Sequence, residues 1–127
     1  MKEKLLKLLD NAYCPYSKFR VSAIIVMKDG TEVSGVNVEA ASYGATICAE
    51  RNAITTAVAM GYKKSDFDKL YVMTSGKKIS SCCFICRQLS VEFFDKNSEF
   101  ILMDMQGNTK TFTVSEMCPY PFDEEDL

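Results

Sequence analysis

The sequence contains no histidine among its 127 residues. This absence excludes a Ser-His-Asp triad, a Cys-His nucleophile pair, a histidine-ligated zinc site and a histidine general base. Any acid–base chemistry must therefore come from a carboxylate, a lysine, a tyrosine or a cysteine.

The chain also lacks a concentration of positive charge and a long apolar run. Its formal net charge is −2 and its pI is near 5.2, with lysines and arginines scattered along the sequence, so no basic stripe is available to neutralise phosphates. We expect no polymeric nucleic acid as a partner. The first residues, MKEKLLKLLDNAY, have a lysine at position 7 between leucines, unlike a signal peptide, and fall far short of a membrane span. These features predict a cytoplasmic protein with no membrane partner.

The length and the 47% hydrophobic content predict a single domain over residues 1–127. Apolar spacing, turn signals and glycine stops predict helices, a hairpin and strands in alternation. The predicted elements are a helix over 2–12, a hairpin over 19–39, a helix over 48–60, a strand over 69–75, a helix within 86–94, strands over 99–104 and 110–114, and a short final turn. This order predicts an α/β fold, a three-layer α/β/α sandwich with a mixed five-stranded sheet.

Three of the six cysteines have the spacing of metal ligands. Cys83 and Cys86 form a C-x-x-C motif at the predicted start of one helix, and Cys48 lies in C-A-E-R, two positions before Glu50. At about 100° per residue, Cys48 and Glu50 point to opposite sides of a helix, so they can share a site only at its open N-terminal end. Two helix N-termini would then face one ion.

A zinc ion with three thiolate ligands keeps a fourth position open, and Glu50 is the carboxylate placed to take a proton there. Partial positive charge from the helix N-termini, together with Arg51 and Arg87, would offset the charge of the thiolates. Other interpretations stay open. The cysteines can be buried and free, they can form a closed structural zinc knot with Cys14, Cys82 or Cys118 as fourth ligand, or CFIC can serve thiol–disulfide exchange.

Four segments carry a resemblance to a known family: AYCPYSKFRV, NVEAASYGATICAER, CCFICRQ and EMCPYPF, in this order. They resemble the cytidine deaminase family, specifically its small enzymes that form homotetramers. The resemblance runs from about Ala12 to Phe122, and C-A-E-R followed by C-x-x-C-R-Q is a specific pairing. It implies a cytidine deaminase-like fold and hydrolytic conversion of cytidine and 2′-deoxycytidine to uridine and 2′-deoxyuridine, with release of ammonia, in pyrimidine salvage.

The resemblance also implies roles for individual residues. Cys48, Cys83 and Cys86 match the ligands of one Zn²⁺ per chain, and Glu50 matches the proton shuttle. Arg51 matches an arginine that hydrogen-bonds the zinc thiolates. A relative that acts on another aminopyrimidine nucleoside, such as an antibiotic, remains an alternative.

Substrate-binding positions are implied in the same way. Asn37 and Glu39 match ribose-hydroxyl ligands, and their i, i+2 spacing at a strand end also puts both side chains on one face. Phe19 matches an aromatic residue beside the base, and Ala49 a further substrate-binding position. The remaining matches reach substrate sites across subunit contacts, which implies a homotetramer with shared active sites: Tyr43, Ala45 and Phe122.

Three positions depart from the family pattern. Cys82 replaces a proline, Phe84 replaces a glycine, and Ser22 replaces a further glycine. If the family has glycine at the position of Phe84 because the backbone there needs a positive φ, phenylalanine would lower the stability of the fold by about 1 kcal/mol or more. We also expect Phe84 to narrow the pocket. Cys82 with Cys86 is a second, poorer ligand pair.

Overall fold

A computed structural model describes residues 1–127, which form five strands, four α-helices and two short 3₁₀ turns. None of the helices combines the length and apolarity needed to cross a membrane. In chain order the elements are α1 (Lys2–Leu9), β1 (Val21–Met27), β2 (Glu32–Val36), the first 3₁₀ turn (Tyr43–Ala45), α2 (Ala49–Ala59), β3 (Phe67–Thr74), α3 (Phe84–Phe93), β4 (Glu99–Met103), β5 (Thr109–Thr113), α4 (Val114–Met117) and the second 3₁₀ turn (Glu124–Asp126).

The five strands form one mixed sheet in the order β2-β1-β3-β4-β5. Strand β1 pairs antiparallel with both β2 and β3, and β4 pairs antiparallel with β5. Strands β3 and β4 are parallel, and α3 makes the crossover between them. The predicted mixed five-stranded sheet is therefore confirmed.

Helices pack on both faces of this sheet. On one face, Leu5 and Leu9 of α1 lie in a small cluster with Ile24 of β1 and Met73 of β3. The other face packs against α2, α3 and α4 in a cluster of 18 buried residues that includes Ile25, the neighbour of Ile24. Each fully buried side chain of this size contributes about 1.5–3 kcal/mol, so the larger cluster supplies most of the hydrophobic stabilisation. The three-layer prediction is confirmed.

Gly35 of β2 sets how closely α2 packs on the sheet. A Cβ atom at this position would lie 2.4 Å from the carbonyl oxygen of Ala49 and 2.5 Å from the backbone nitrogen of Ala53. Both atoms belong to the backbone of α2, so they cannot yield without a shift of the helix. The glycine therefore fixes the depth of α2 and the position of its first turn.

Two predicted boundaries were wrong. Helix α1 ends at Leu9 rather than 12, because the backbone N–H groups of Asn11 and Ala12 bond three residues back, to Leu8 and Leu9, instead of four; Arg20 Nη1 also donates to the Leu9 carbonyl oxygen at 3.0 Å. The hairpin strands end at Val36 rather than 39, because the Asn37 Oδ1 atom accepts from the Val21 backbone N–H at 2.8 Å. Residues 37–39 therefore leave the sheet and turn toward the region described next.

Candidate active site

Three cysteine sulfurs converge where α2 and α3 begin. The Sγ atoms of Cys48 and Cys83 are 3.7 Å apart, those of Cys83 and Cys86 are 3.4 Å apart, and all three lie within 4.8 Å of one another. Zinc–thiolate bonds of about 2.3 Å in a tetrahedron place sulfurs about 3.8 Å apart. The cluster thus has both the donor atoms and the spacing to hold one zinc ion.

Both helix N-termini face this cluster. Cys48 is the N-cap of α2 and Cys83 is the N-cap of α3, each with extended backbone angles. The N-terminal partial positive charges of α2 and α3 therefore lie beside the sulfurs. Arg51 adds a full charge, with its Nη2 atom 3.8 Å from Cys48 Sγ, and its Nε atom is buried without a partner. Such an unsatisfied donor fits a site where thiolates surround a cation.

Arg87 does not join Arg51 in this role, so that expectation was wrong. Its Nε atom donates to the carbonyl oxygen of Cys82 at 2.8 Å, and its Nη1 atom donates to that of Met117 at 3.1 Å. The guanidinium also contacts the Ser81 hydroxyl. Arg87 is used to hold the loop before α3 against the end of α4, and its donors are aimed at oxygens instead of sulfurs.

The titration of the cluster reflects these neighbours. The Cys86 thiol and the Arg51 guanidinium stabilise the Cys48 thiolate and lower the pKa of Cys48 to about 5. The pKa of Cys86 is raised in turn, because it lies beside the Cys48 thiolate and is buried. Burial also raises the pKa of Glu50 above its ordinary range. A carboxylate with a raised pKa is a stronger base than an ordinary carboxylate, which suits it to accept a proton and release it again.

The other three cysteines are buried outside this cluster. Burial and the nearby Glu50 carboxylate raise the pKa of Cys82 well above that of a free thiol. Of the cysteines at the start of α3, Cys83 and Cys86 lie in the cluster with Cys48, and Cys82 does not. Neither Cys14 nor Cys118 approaches as a fourth ligand, so the cluster lacks the closure of a structural zinc knot.

A cavity of about 340 Å³ opens beside the cluster. Six of the predicted site residues contribute to its wall: Phe19, Asn37, Glu39, Cys48, Glu50 and Cys83. Glu50 is only 4% exposed, in the first turn of α2. The Glu50 carboxylate and two of the cysteine residues therefore line the same cavity as the polar residues Asn37 and Glu39. A larger cleft, about 480 Å³, lies along the carboxy-terminal residues and contains no member of the cluster.

Asn37 and Glu39 are both held by backbone hydrogen bonds. The Asn37 Nδ2 atom donates to the Phe19 carbonyl oxygen at 2.8 Å, and Glu39 Oε1 accepts from the backbone N–H groups of Tyr16 and Ser17 at 3.1 Å. The Ser17 hydrogen bonds lower the pKa of Glu39, so its carboxylate is ionised at neutral pH. Its Oε2 atom remains free to accept from a ligand hydroxyl.

The four other predicted substrate-binding residues do not contribute to this wall. Ala49 is buried in the first turn of α2, and Ala45 lies in the exposed first 3₁₀ turn with Tyr43. The side chain of Tyr43 is 76% exposed and that of Phe122 is 59% exposed. Gln88 of α3 fixes Phe122 by its backbone, donating to its carbonyl oxygen at 2.6 Å. Both aromatic residues are thus largely exposed, although the Tyr43 ring also packs edge-on against the Tyr16 ring, with 6.3 Å between the ring centroids.

Phe84 differs from both expectations for it. It is the first residue of α3 and does not have a positive φ, so the anticipated backbone strain is absent. Its side chain is 68% exposed and lies on the Arg87 guanidinium, 4.2 Å from ring centroid to Cζ, instead of lining the cavity. Phenylalanine fits here because a helix N-terminus needs no glycine.

Sequence reasoning missed six residues of the cavity wall: Ser17, Val21, Thr46, Val72, Thr74 and Ser81. None of them belongs to the cysteine motifs. Val72 and Thr74 lie on one side of β3 near its carboxyl end. A change from apolar to polar residues at the end of a buried strand is a sequence signal that could have predicted their place in the wall.

Comparisons with known proteins agree with this geometry. The family model for the cytidine and deoxycytidylate deaminase zinc-binding region matches residues 1–102. A cytidine deaminase of Halalkalibacterium halodurans is 39% identical over 118 residues, covering 93% of this chain and 88% of that protein. The crystal structure of a cytidine deaminase from Burkholderia pseudomallei has a TM-score of 0.90 at 36% identity and covers 94% of each chain. A blasticidin-S deaminase of Bacillus cereus is 31% identical over 114 residues, covering 84% of this chain and 79% of that protein.

Proposed function

We propose that this chain, which belongs to the cytidine and deoxycytidylate deaminase family, catalyses the zinc-dependent hydrolysis of cytidine and 2′-deoxycytidine to uridine and 2′-deoxyuridine, with release of ammonia. One observation carries the proposal. The three-cysteine cluster and the buried Glu50 carboxylate meet at the wall of a cavity of about 340 Å³. Cavities of this volume are at the lower end of the range for small-molecule sites, which suits a single nucleoside.

Glu50 moves the protons of this reaction. Cys48, Cys83 and Cys86 would hold a zinc ion, which would supply Lewis acidity for a hydrolytic attack. The Glu50 carboxylate accepts a proton from the attacking water and returns it to N3 of the pyrimidine. Once the water oxygen has bonded to C4, Glu50 takes the second proton of that oxygen and passes it to the amino group, so that the C4–N bond breaks, ammonia leaves and C4 becomes a carbonyl carbon. Burial keeps bulk water away from the carboxylate and raises its pKa toward the pH at which it must exchange protons.

Asn37, Glu39 and Phe19 would position the nucleoside. The free Oε2 of Glu39 suits a ribose hydroxyl, and Phe19 offers an aromatic surface beside the base. Asn37 keeps unused hydrogen-bonding capacity after its two backbone contacts. Because Ser17 and Tyr16 hold Glu39 in place, little side-chain entropy is lost when the sugar binds.

An ultraviolet assay of cytidine conversion, with zinc quantified per chain, tests this function. Wild-type protein should convert both nucleosides and contain about one zinc per chain. Glu50→Gln should keep the zinc and the fold yet lose at least 10²-fold in kcat, since the proton carrier is removed. Glu92→Gln, on an exposed position of α3, is the matched control. A Glu50→Gln variant that turns over at the wild-type rate would contradict the assigned role.

Cysteine-to-serine variants test the ligand set separately. Substitution of a proposed ligand should remove zinc, whereas substitution of another cysteine should leave the zinc content at the wild-type level. The first group is Cys48, Cys83 and Cys86, and the second is Cys14, Cys82 and Cys118. Loss of zinc from a variant of the second group would favour the structural knot.

We further propose a homotetramer in which Tyr43, Ala45 and Phe122 reach the cavity of a neighbouring copy. The exposure of both aromatic side chains, and their absence from their own cavity wall, support this arrangement. Sedimentation analysis should give four chains per particle. Mixing the inactive Glu50→Gln and Phe122→Ala proteins should restore activity if sites are shared, because some mixed sites receive both intact groups. A monomeric, fully active protein would exclude this assembly.

The proposed setting is the cytoplasm, where the 127-residue chain would act as one domain in pyrimidine salvage. Six free cysteines suit a reducing compartment. The second candidate activity is deamination of an aminopyrimidine nucleoside antibiotic, which the similarity to a blasticidin-S deaminase favours. Comparing kcat/KM for cytidine and blasticidin S decides between them.

A further inference from the structure

Two buried side-chain atoms in this chain lack a hydrogen-bond partner, and both belong to the candidate active site. They are Nε of Arg51 and Oγ1 of Thr74. The Arg51 atom lies on a guanidinium that already contacts the Cys48 sulfur. The Thr74 hydroxyl makes no hydrogen bond within the chain, although Thr74 is only 3% exposed and forms part of the cavity wall. Because buried hydroxyl groups are nearly always hydrogen-bonded, this exception points to a partner that the chain itself does not contain.

The other hydroxyl groups of the cavity wall differ from Thr74 in this respect. Those of Ser17, Thr46 and Ser81 each accept a hydrogen bond from an N–H group of the protein. Their positions are therefore explained by the loops that they stabilise. The Thr74 hydroxyl stabilises no loop and no helix end, which leaves the cavity as the place where its hydrogen bond can form.

Thr74 also lies on the face of the sheet that packs against α2, the helix that carries Glu50. Leu70 and Val72 of β3 belong to the cluster that packs against α2, and the two-residue period of a strand puts Thr74 on the same face. Val72 and Val21, the strand partner of Thr74, are apolar parts of the same wall. The hydroxyl is thus a polar group among apolar side chains, on the face toward which α2 carries its carboxylate.

We propose that the Thr74 hydroxyl hydrogen-bonds the pyrimidine ring of the bound nucleoside and so contributes to its orientation. This inference rests on the proposed function. The ring is the expected partner because Asn37 and Glu39 already offer polar groups for the sugar, while Thr74 lies with the apolar residues that suit a base. A ring carbonyl, a ring nitrogen or the exocyclic amine can each pair with a hydroxyl, which both donates and accepts.

The test compares Thr74→Val with Thr74→Ser by steady-state kinetics on cytidine and 2′-deoxycytidine. Valine keeps the shape of threonine but removes the hydroxyl, so KM should rise about two- to tenfold, equally for both nucleosides. Serine should retain most of the wild-type KM. Thr111→Val, on the exposed edge strand β5, is the matched control and should change nothing. The melting temperature of Thr74→Val should not fall, since an unpaired buried hydroxyl has been removed.

Several results would overturn the inference. One is a wild-type KM for Thr74→Val, and another is an equal loss in the serine variant, which would indicate a steric role. A loss seen with cytidine but not with 2′-deoxycytidine would place the contact on the ribose. Failure of the proposed function gives a different result, because the wild-type protein would then convert neither nucleoside.

Discussion

Replacing Gly35 by alanine should displace the catalytic turn of α2 rather than merely loosen the core. The new Cβ would lie 2.4 Å from the Ala49 carbonyl oxygen, about 1 Å short of ordinary contact at 3.4 Å. Since Ala49 lies between Cys48 and Glu50, a helix that moves by this distance carries both functional groups with it. Overpacking of this kind costs about 1–3 kcal/mol of stability. A 1 Å misplacement of reacting groups can cost about 10²-fold in rate.

The experiment measures urea unfolding, zinc affinity and kcat for Gly35→Ala beside Gly30→Ala. Gly30 has φ +88° and open space around its Cβ position, so alanine there strains the turn without touching α2. Gly30→Ala should therefore lose about 1 kcal/mol of stability but keep its zinc affinity and kcat. Gly35→Ala should lose stability, zinc affinity and kcat. If Gly35→Ala is destabilised yet retains wild-type zinc affinity and kcat, the reasoning that this glycine positions the site is refuted.

Three further predictions concern stability. Because burial raises the pKa of Glu50 above its ordinary 4.5, the ionised carboxylate destabilises the fold as pH rises above that value. The stability of Glu50→Gln relative to wild type should therefore increase as pH rises above 4.5 in urea titrations with chelator present, and a pH-independent difference would contradict this. Phe84→Ala should cost only about 0.5–1 kcal/mol by thermal unfolding, from its stacking on Arg87, and should leave zinc content unchanged; a loss of metal would show that the ring supports the site. Ser22→Ala should cost about 1 kcal/mol in urea unfolding, since Ser22 Oγ donates to the Leu5 carbonyl oxygen at 2.9 Å, and an unchanged midpoint would mean that the bond between α1 and the sheet adds nothing.

The parts of the molecule that could be predicted from the sequence depend on local spacing. Cys48 and Glu50 are two positions apart, and Cys83 and Cys86 are three positions apart, so helix geometry alone places each pair at a helix N-terminus. The alternation of apolar and polar residues likewise predicts the strands and their two faces. These features need no knowledge of distant contacts.

The parts that could not be predicted depend on partners far away in the sequence. Arg87 is drawn to the Met117 carbonyl oxygen 30 residues later, which removes it from the sulfurs. Arg20 reaches back to the end of α1 and donates to the Leu9 carbonyl oxygen, a contact that no local pattern predicts. The sequence pattern cannot predict that the Thr74 hydroxyl lacks a hydrogen-bond partner, because this depends on the positions of all its neighbours in the folded chain.

The separation of Cys48 and Cys83 has a consequence for metal acquisition. The two residues are 35 positions apart in the sequence, and the whole of α2 and β3 lies between them. A growing or partly folded chain can present the C-x-x-C pair alone, but the third sulfur arrives only when β3 has paired with β1 and α3 has crossed back over the sheet. A complete set of ligands is thus a late product of folding. Zinc content per chain would therefore report the fraction of molecules that have reached the native topology, independently of any assay of turnover.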